Sequence, residues 1–165
     1  LQSHIDLAKA VWLDYCECKM IDTIAREPLW RHLINYRCGT GHSVSFVGNV
    51  HEGPHSLRGT NTVKMRPGMV VTDEPGVYEA GVVGVRIENE LVCVHRADNQ
   101  YGTFLGFEPL TFVPIATSPI LPGVLDREEL DWLNRYHRAV FVTLAPRLTA
   151  EERVWLAGKC AAIGC

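Results

Sequence analysis

Apolar positions recur at helical spacing near the N-terminus, where Ile5, Leu7, Ala8, Val11 and Trp12 predict a helix over 3–12 behind a Ser3 cap. A second amphipathic stretch, 19–32, gathers Ile21, Ile24, Ala25 and Leu29 on one face, with Pro28 placed to shorten or kink it. From residue 36 to 115 the period changes. Glycine, proline and β-branched residues dominate, and the segment reads as strands joined by turns. The apolar run 68–73 predicts a buried strand. The alternation across 82–94 predicts another, with Val85, Ile87, Leu91 and Cys93 inward and Arg86, Glu88 and Glu90 outward. Helical spacing then returns twice, each time behind a capping-box pattern: Asp126 with Glu129, and Thr149 with Glu152. Leu130, Leu133, Tyr136, His137, Val140 and Phe141 make the first stripe, Val154, Trp155 and Ala162 the second, and Pro146 separates them. Helices, then strands, then a helical pair make an α+β pattern.

Composition narrows the function classes. The 165 residues are 47% apolar and 21% charged with a net charge of -3, an ordinary globular profile without the basic excess that nucleic acid or an anionic membrane would favour. No apolar run approaches the length of a membrane helix, about 18 residues. The chain opens on Leu1, without an initiator Met or a secretory signal pattern, and so reads as starting inside a longer protein. Six scattered cysteines (Cys16, Cys18, Cys38, Cys93, Cys160 and Cys165) suit a reducing, cytoplasmic setting, and the lone Cys16/Cys18 pair is too little for a structural zinc site.

Candidate chemistry gathers in the strand-rich segment. Glu74 and Glu88 lie equally far from Gly81, so a hairpin folding there makes them cross-strand neighbours with the same facing. Adjacent carboxylates repel and call for a cation, a shared proton or solvent. The row of Arg86, Glu88 and Glu90 equally fits the wet face of an antiparallel sheet. Gly39-Thr40-Gly41-His42 sets a histidine among small residues, and His51 follows just before a Gly-Pro turn. One histidine with two glutamates is a mixed nitrogen–oxygen donor set suited to Mn, Co, Fe or Zn.

Taken together, GTGH at 39–42, NVHEGP at 49–54, GMVVTDEPGVYE at 68–79 and GVRIENELVCV at 84–94 resemble the Xaa-Pro aminopeptidases (aminopeptidase P) of the pita-bread metallopeptidase superfamily. HIDLAKAVW at 4–12, FLGFEPLTFVPI at 104–115 and LDWLNRYH at 130–137 extend the likeness to the longer members. The resemblance implies a pita-bread fold, with residues 1–102 forming the C-terminal part of the catalytic domain and 103–165 an extension carrying a strand segment and two helices. It further implies metal ligands at His42, Glu74 and Glu88, with Glu74 as general base and Glu88 bridging two divalent ions. Manganese is the expected metal, with zinc or cobalt as alternatives. His51 corresponds to a substrate-contacting histidine, and Arg86 is the expected partner of a ligand carboxylate. The substrates implied are peptides with proline second, cleaved by a water shared between the ions, and the parent is expected to be a homodimer.

The family's other two ligands are aspartates eleven residues apart, upstream of the histidine. No two of Asp6, Asp14 and Asp22 have that spacing, so this chain alone is expected to hold at most one ion and to be weak or inactive. Cys38 stands where longer members commonly carry histidine, and Ser43-Val44-Ser45-Phe46 replaces a glycine-rich stretch, which alters the substrate pocket. A degenerate domain acting as a binding or dimerisation module is the alternative. Prolidase or creatinase chemistry is a third.

Overall fold

The computed structural model describes residues 1–164; Cys165, one of the six cysteines, lies outside the described residues. Two compact units are present, Leu1–Thr111 and Phe112–Cys165.

In the first unit, helix α1 (Gln2–Ala8) leads into strand β1 (Val11–Leu13), and helix α2 (Cys18–Trp30) follows. Seven further strands complete it: β2 (Gly41–His42), β3 (Ser56–Leu57), β4 (Val70–Asp73), β5 (Gly76–Glu79), β6 (Val83–Arg86), β7 (Asn89–Asn99) and β8 (Gly102–Pro109). An antiparallel four-stranded sheet has the order β1-β8-β7-β4, while β2–β3 and β5–β6 pair separately. Leu7, Trp12, Ile21, Leu57, Met65, Val71, Leu91, Cys93 and Phe107 form the core between the helices and the sheet. Trp12 and Phe107 meet with ring centroids 4.6 Å apart.

Several expectations change here. The first helix stops at Ala8, and Val11 and Trp12 lie on β1, paired with Gly106 and Leu105. Ser3 is not the cap: Leu1 holds that position without a side-chain bond, and Ser3 is buried. A short run of alternating apolar residues serves either period, and ladder bonds to β8 decide it. The long strand across 82–94 is two strands broken at Ile87 and Glu88. Leu91 and Cys93 are fully buried as expected, but Val85 is 57% exposed, because β6 belongs to a separate two-stranded ribbon.

In the second unit, α3 (Arg127–Leu144) and α4 (Ala150–Lys159) flank a 3-10 turn at Ala145–Arg147 that contains Pro146. Both capping boxes form, with Asp126 accepting from the Glu129 amide at 2.8 Å and Thr149 from the Glu152 amide at 3.3 Å. Leu130, Leu133, Tyr136, His137 and Val140 make the buried stripe of α3. The Tyr136 hydroxyl donates to the Val113 carbonyl at 2.9 Å, and the Ile115 amide donates to His137 Nε2 at 3.1 Å, so α3 holds the extended segment before it. Trp132 stacks on Tyr136, whereas Trp155 is 60% exposed and has no core role.

The His137 contact carries a pH prediction. Burial lowers the pKa of His137 below its ordinary value of 6.5, and an Nε2 that accepts from Ile115 must be unprotonated. Unfolded His137 would bind a proton more readily than folded His137. Stability therefore holds above about pH 6.5 and falls as pH drops through that value toward the folded pKa. The imidazole resonance of His137, followed by NMR, is expected to titrate with a midpoint below 6.5. A midpoint above it would show that the folded state favours the charged form.

Candidate metal centre

The strand ladders bring two carboxylates together. β4 pairs with β7 from Val70↔Val92 to Asp73↔Asn89, and β5 pairs with β6 from Gly76↔Arg86 to Glu79↔Val83. Both ladders keep one register about Gly81, whose φ of 73° suits glycine at the turn. Glu74 and Glu88 fall opposite each other in the gap between the ladders, as the hairpin symmetry predicts.

The histidine reaches them because Gly41 has no side chain. A Cβ at that position would lie 1.7 Å from the Thr72 carbonyl oxygen, so β2 packs against β4 at a distance only glycine allows. His42, Glu74 and Glu88 then offer ligand atoms all within 4.8 Å of one another. The Glu74 amide donates to the Thr40 carbonyl at 2.8 Å. The His42 amide donates to Thr72 Oγ1 at 3.0 Å, and that hydroxyl donates to Glu74 Oε1 at 3.1 Å.

Electrostatics at the cluster favour a cation. His42 Nδ1 lies 3.0 Å from the Ser43 carbonyl oxygen, which can only accept, so Nδ1 carries the proton. In the neutral ring Nε2 keeps a lone pair, and it faces Glu74 Oε1 at 3.3 Å. Two acceptors in that geometry need a positive centre between them, either a proton on Nε2 or a metal ion. With Glu88 adjacent, a divalent cation satisfies all three groups, and the nitrogen–oxygen donor set suits manganese, cobalt or zinc. Arg86 supplies local positive charge: its Nε is 3.3 Å from Glu88 Oε2 and 4.0 Å from Glu74 Oε2. Its Nη1 donates to the Tyr78 hydroxyl at 3.1 Å.

The other two candidate positions lie outside the ligand cluster. His51 is exposed and stacks on His42 with centroids 3.8 Å apart and planes 28° apart. Cys38 is exposed, its thiol 3.7 Å from the Gly76 carbonyl.

Two buried polar groups near the site escaped the sequence reading. Asp22 is 1% exposed and accepts from Arg26 Nε at 2.8 Å and from the Thr40 hydroxyl. Arg26 also donates to the Asn35 side chain and to the carbonyls of Tyr36 and Cys38, and its guanidinium stacks over the Tyr36 ring at 4.2 Å. Burial pushes the Tyr36 phenol up to about 12, so it remains a donor and gives its proton to Thr40 Oγ1 at 2.5 Å. This network holds the strap 36–41 that delivers His42. Behind the site, His4 Nδ1 lies 3.2 Å from a carboxylate oxygen of Asp73, with both side chains fully buried. Burial raises the pKa of Asp73, and the neighbouring imidazole opposes that shift. The available signal was an inward-facing Asp in a buried strand together with a His on an apolar helix face.

Known proteins share this arrangement of elements. The family model described as metallopeptidase family M24 matches residues 1–95, and the one described as the C-terminal region of peptidase M24 matches 103–163. Aminopeptidase P2 of Arabidopsis thaliana is 43% identical over 164 residues, covering 94% of this chain and 23% of that protein. The crystal structure of X-prolyl aminopeptidase from Caenorhabditis elegans, described as a cytosolic enzyme with a di-nuclear active site, superposes with a TM-score of 0.88 at 37% identity. That match covers 98% of this chain and 27% of the other. X-Pro aminopeptidase from Thermotoga maritima gives a TM-score of 0.53 at 28% identity over 68% of this chain and 29% of its own. The chain thus spans about a quarter of the length of the curated relatives it matches.

Proposed function

This chain belongs to metallopeptidase family M24, and on that premise we propose that it carries part of the metal centre of an aminopeptidase releasing an N-terminal residue that precedes proline. Its fold is the α+β pita-bread fold. One observation carries the reading: His42 Nε2 faces Glu74 Oε1 at 3.3 Å, beside Glu88, in a cluster that a divalent cation would complete. The names of the Arabidopsis and C. elegans relatives support the substrate class.

In this reading His42, Glu74 and Glu88 hold divalent metal, with manganese preferred over zinc or cobalt. Bound metal supplies Lewis acidity to the scissile carbonyl and lowers the pKa of water. Glu74 accepts the proton of the attacking water. His51, fixed by its stack on His42, meets the substrate. Arg86 steadies the Glu88 carboxylate at 3.3 Å. Peptides with proline second are the proposed substrates. A homodimer and a cytoplasmic location belong to the same proposal, the latter supported by the description of the C. elegans enzyme as cytosolic. Among the described residues no helix is long and apolar enough to cross a membrane.

The test incubates the chain with manganese and a Xaa-Pro peptide, alone and with the aspartate-bearing segment that the family resemblance implies. Release of the proline-headed product in either case supports the enzyme. Silence in both favours the non-catalytic module, for which exposed Cys38 is the specific observation.

A further inference from the structure

Thr72 lies on β4, 3% exposed, two residues before Glu74. Its side chain does two things at once. Oγ1 accepts from the His42 amide at 3.0 Å and donates to Glu74 Oε1 at 3.1 Å. A hydroxyl has a single proton. The amide cannot accept it, so the proton is committed to Oε1, the same oxygen that faces His42 Nε2.

We propose that Thr72 is a positioning residue of the metal centre: its hydroxyl orients the Glu74 carboxylate and ties it to the backbone of His42, so that a ligand on β2 and one just past the end of β4 move as one. The inference rests on the metal-centre reading above and deepens it. Without the hydroxyl, Glu74 Oε1 loses its only hydrogen-bond donor from β4 and rotates between His42 and Arg86, whose Nε is 4.0 Å from Oε2. Gly41 makes the link possible, because a Cβ there would meet Thr72 Oγ1 at 3.2 Å and the Thr72 carbonyl far closer. Groups that orient ligands from behind typically contribute 10–100-fold to metal affinity.

Calorimetric titration of the chain with manganese tests this with four proteins. Wild type and Thr72→Ser, which keeps the hydroxyl, are expected to agree within about threefold, while Thr72→Val, equal in shape but without the hydroxyl, is expected to bind about 10–100-fold more weakly. Glu88→Ala is the control for the site itself. Manganese uptake by Thr72→Val that matches wild type overturns the role of Thr72 and leaves the metal centre standing. Uptake that is absent from wild type, or unchanged in Glu88→Ala, overturns the metal centre and Thr72 with it. A second readout needs no variant. In wild type the Thr72 hydroxyl proton should exchange slowly by NMR and shift when diamagnetic zinc is added, and a proton that exchanges freely with water overturns the proposal even if Thr72→Val fails to fold.

Discussion

Glu88→Ala is expected to lower the affinity of the chain for a divalent cation by about 100-fold or more, the upper end of what even an orienting neighbour contributes. The reason is charge as much as ligand count. Glu88 and Glu74 lie opposite each other in the gap between two ladders of one hairpin, and Arg86 already sits 3.3 Å from Glu88. Removing Glu88 deletes one of the proposed anionic ligands and frees Arg86 to turn toward Glu74 Oε2, now 4.0 Å away. The guanidinium then competes with the incoming cation for the remaining carboxylate. Isothermal titration with manganese reads the effect directly, and uptake by the variant within about threefold of wild type would remove Glu88 from the site. Because Glu88 is exposed, the substitution should leave thermal stability nearly unchanged, which separates loss of a ligand from loss of the fold.

Asp22→Ala should produce the largest loss of stability, about 3–5 kcal/mol, the range for breaking a buried ion pair by removing one partner. Asp22 is 1% exposed and joins Arg26 on its own helix to Thr40 on the strap. Its removal strands a part-buried guanidinium and leaves the Thr40 hydroxyl without its acceptor. The lower end of the range is the better expectation, since Arg26 keeps the Tyr36 and Cys38 carbonyls at 2.9 Å each. Thr40 also passes the damage to the site, because its carbonyl accepts the Glu74 amide at 2.8 Å. Urea unfolding measures the loss, and Asp22→Asn, which retains an acceptor, should fall between the alanine variant and wild type. A change below about 1 kcal/mol would mean that the network packs without bearing on stability.

Short-range chemistry was legible along the chain. Both capping boxes follow from residues three apart, and each contact is closed within one helical turn. The pairing of Glu74 with Glu88 follows from their equal distance to Gly81, because an antiparallel ladder about one turn fixes every partner. The resemblance carried by GTGH, VTDEPG and RIEN pointed to the same three side chains that the fold brings within 4.8 Å.

What tertiary structure alone decided depends on distant partners. Val11 and Trp12 fit a helix until β8, far along the chain, offers ladder bonds through Gly106 and Leu105. Val85 alternates in phase with Leu91 and Cys93, yet is exposed because periodicity tells which face a residue shares and not whether anything covers that face. Asp22 looked like an aspartate at the wrong spacing for a metal, and only the approach of the strap to α2 makes it a buried hub joining Arg26 to Thr40. The same holds for Thr72, an ordinary strand residue in sequence. Its hydroxyl acquires a role only when Gly41 lets a second strand come close enough to present the His42 amide.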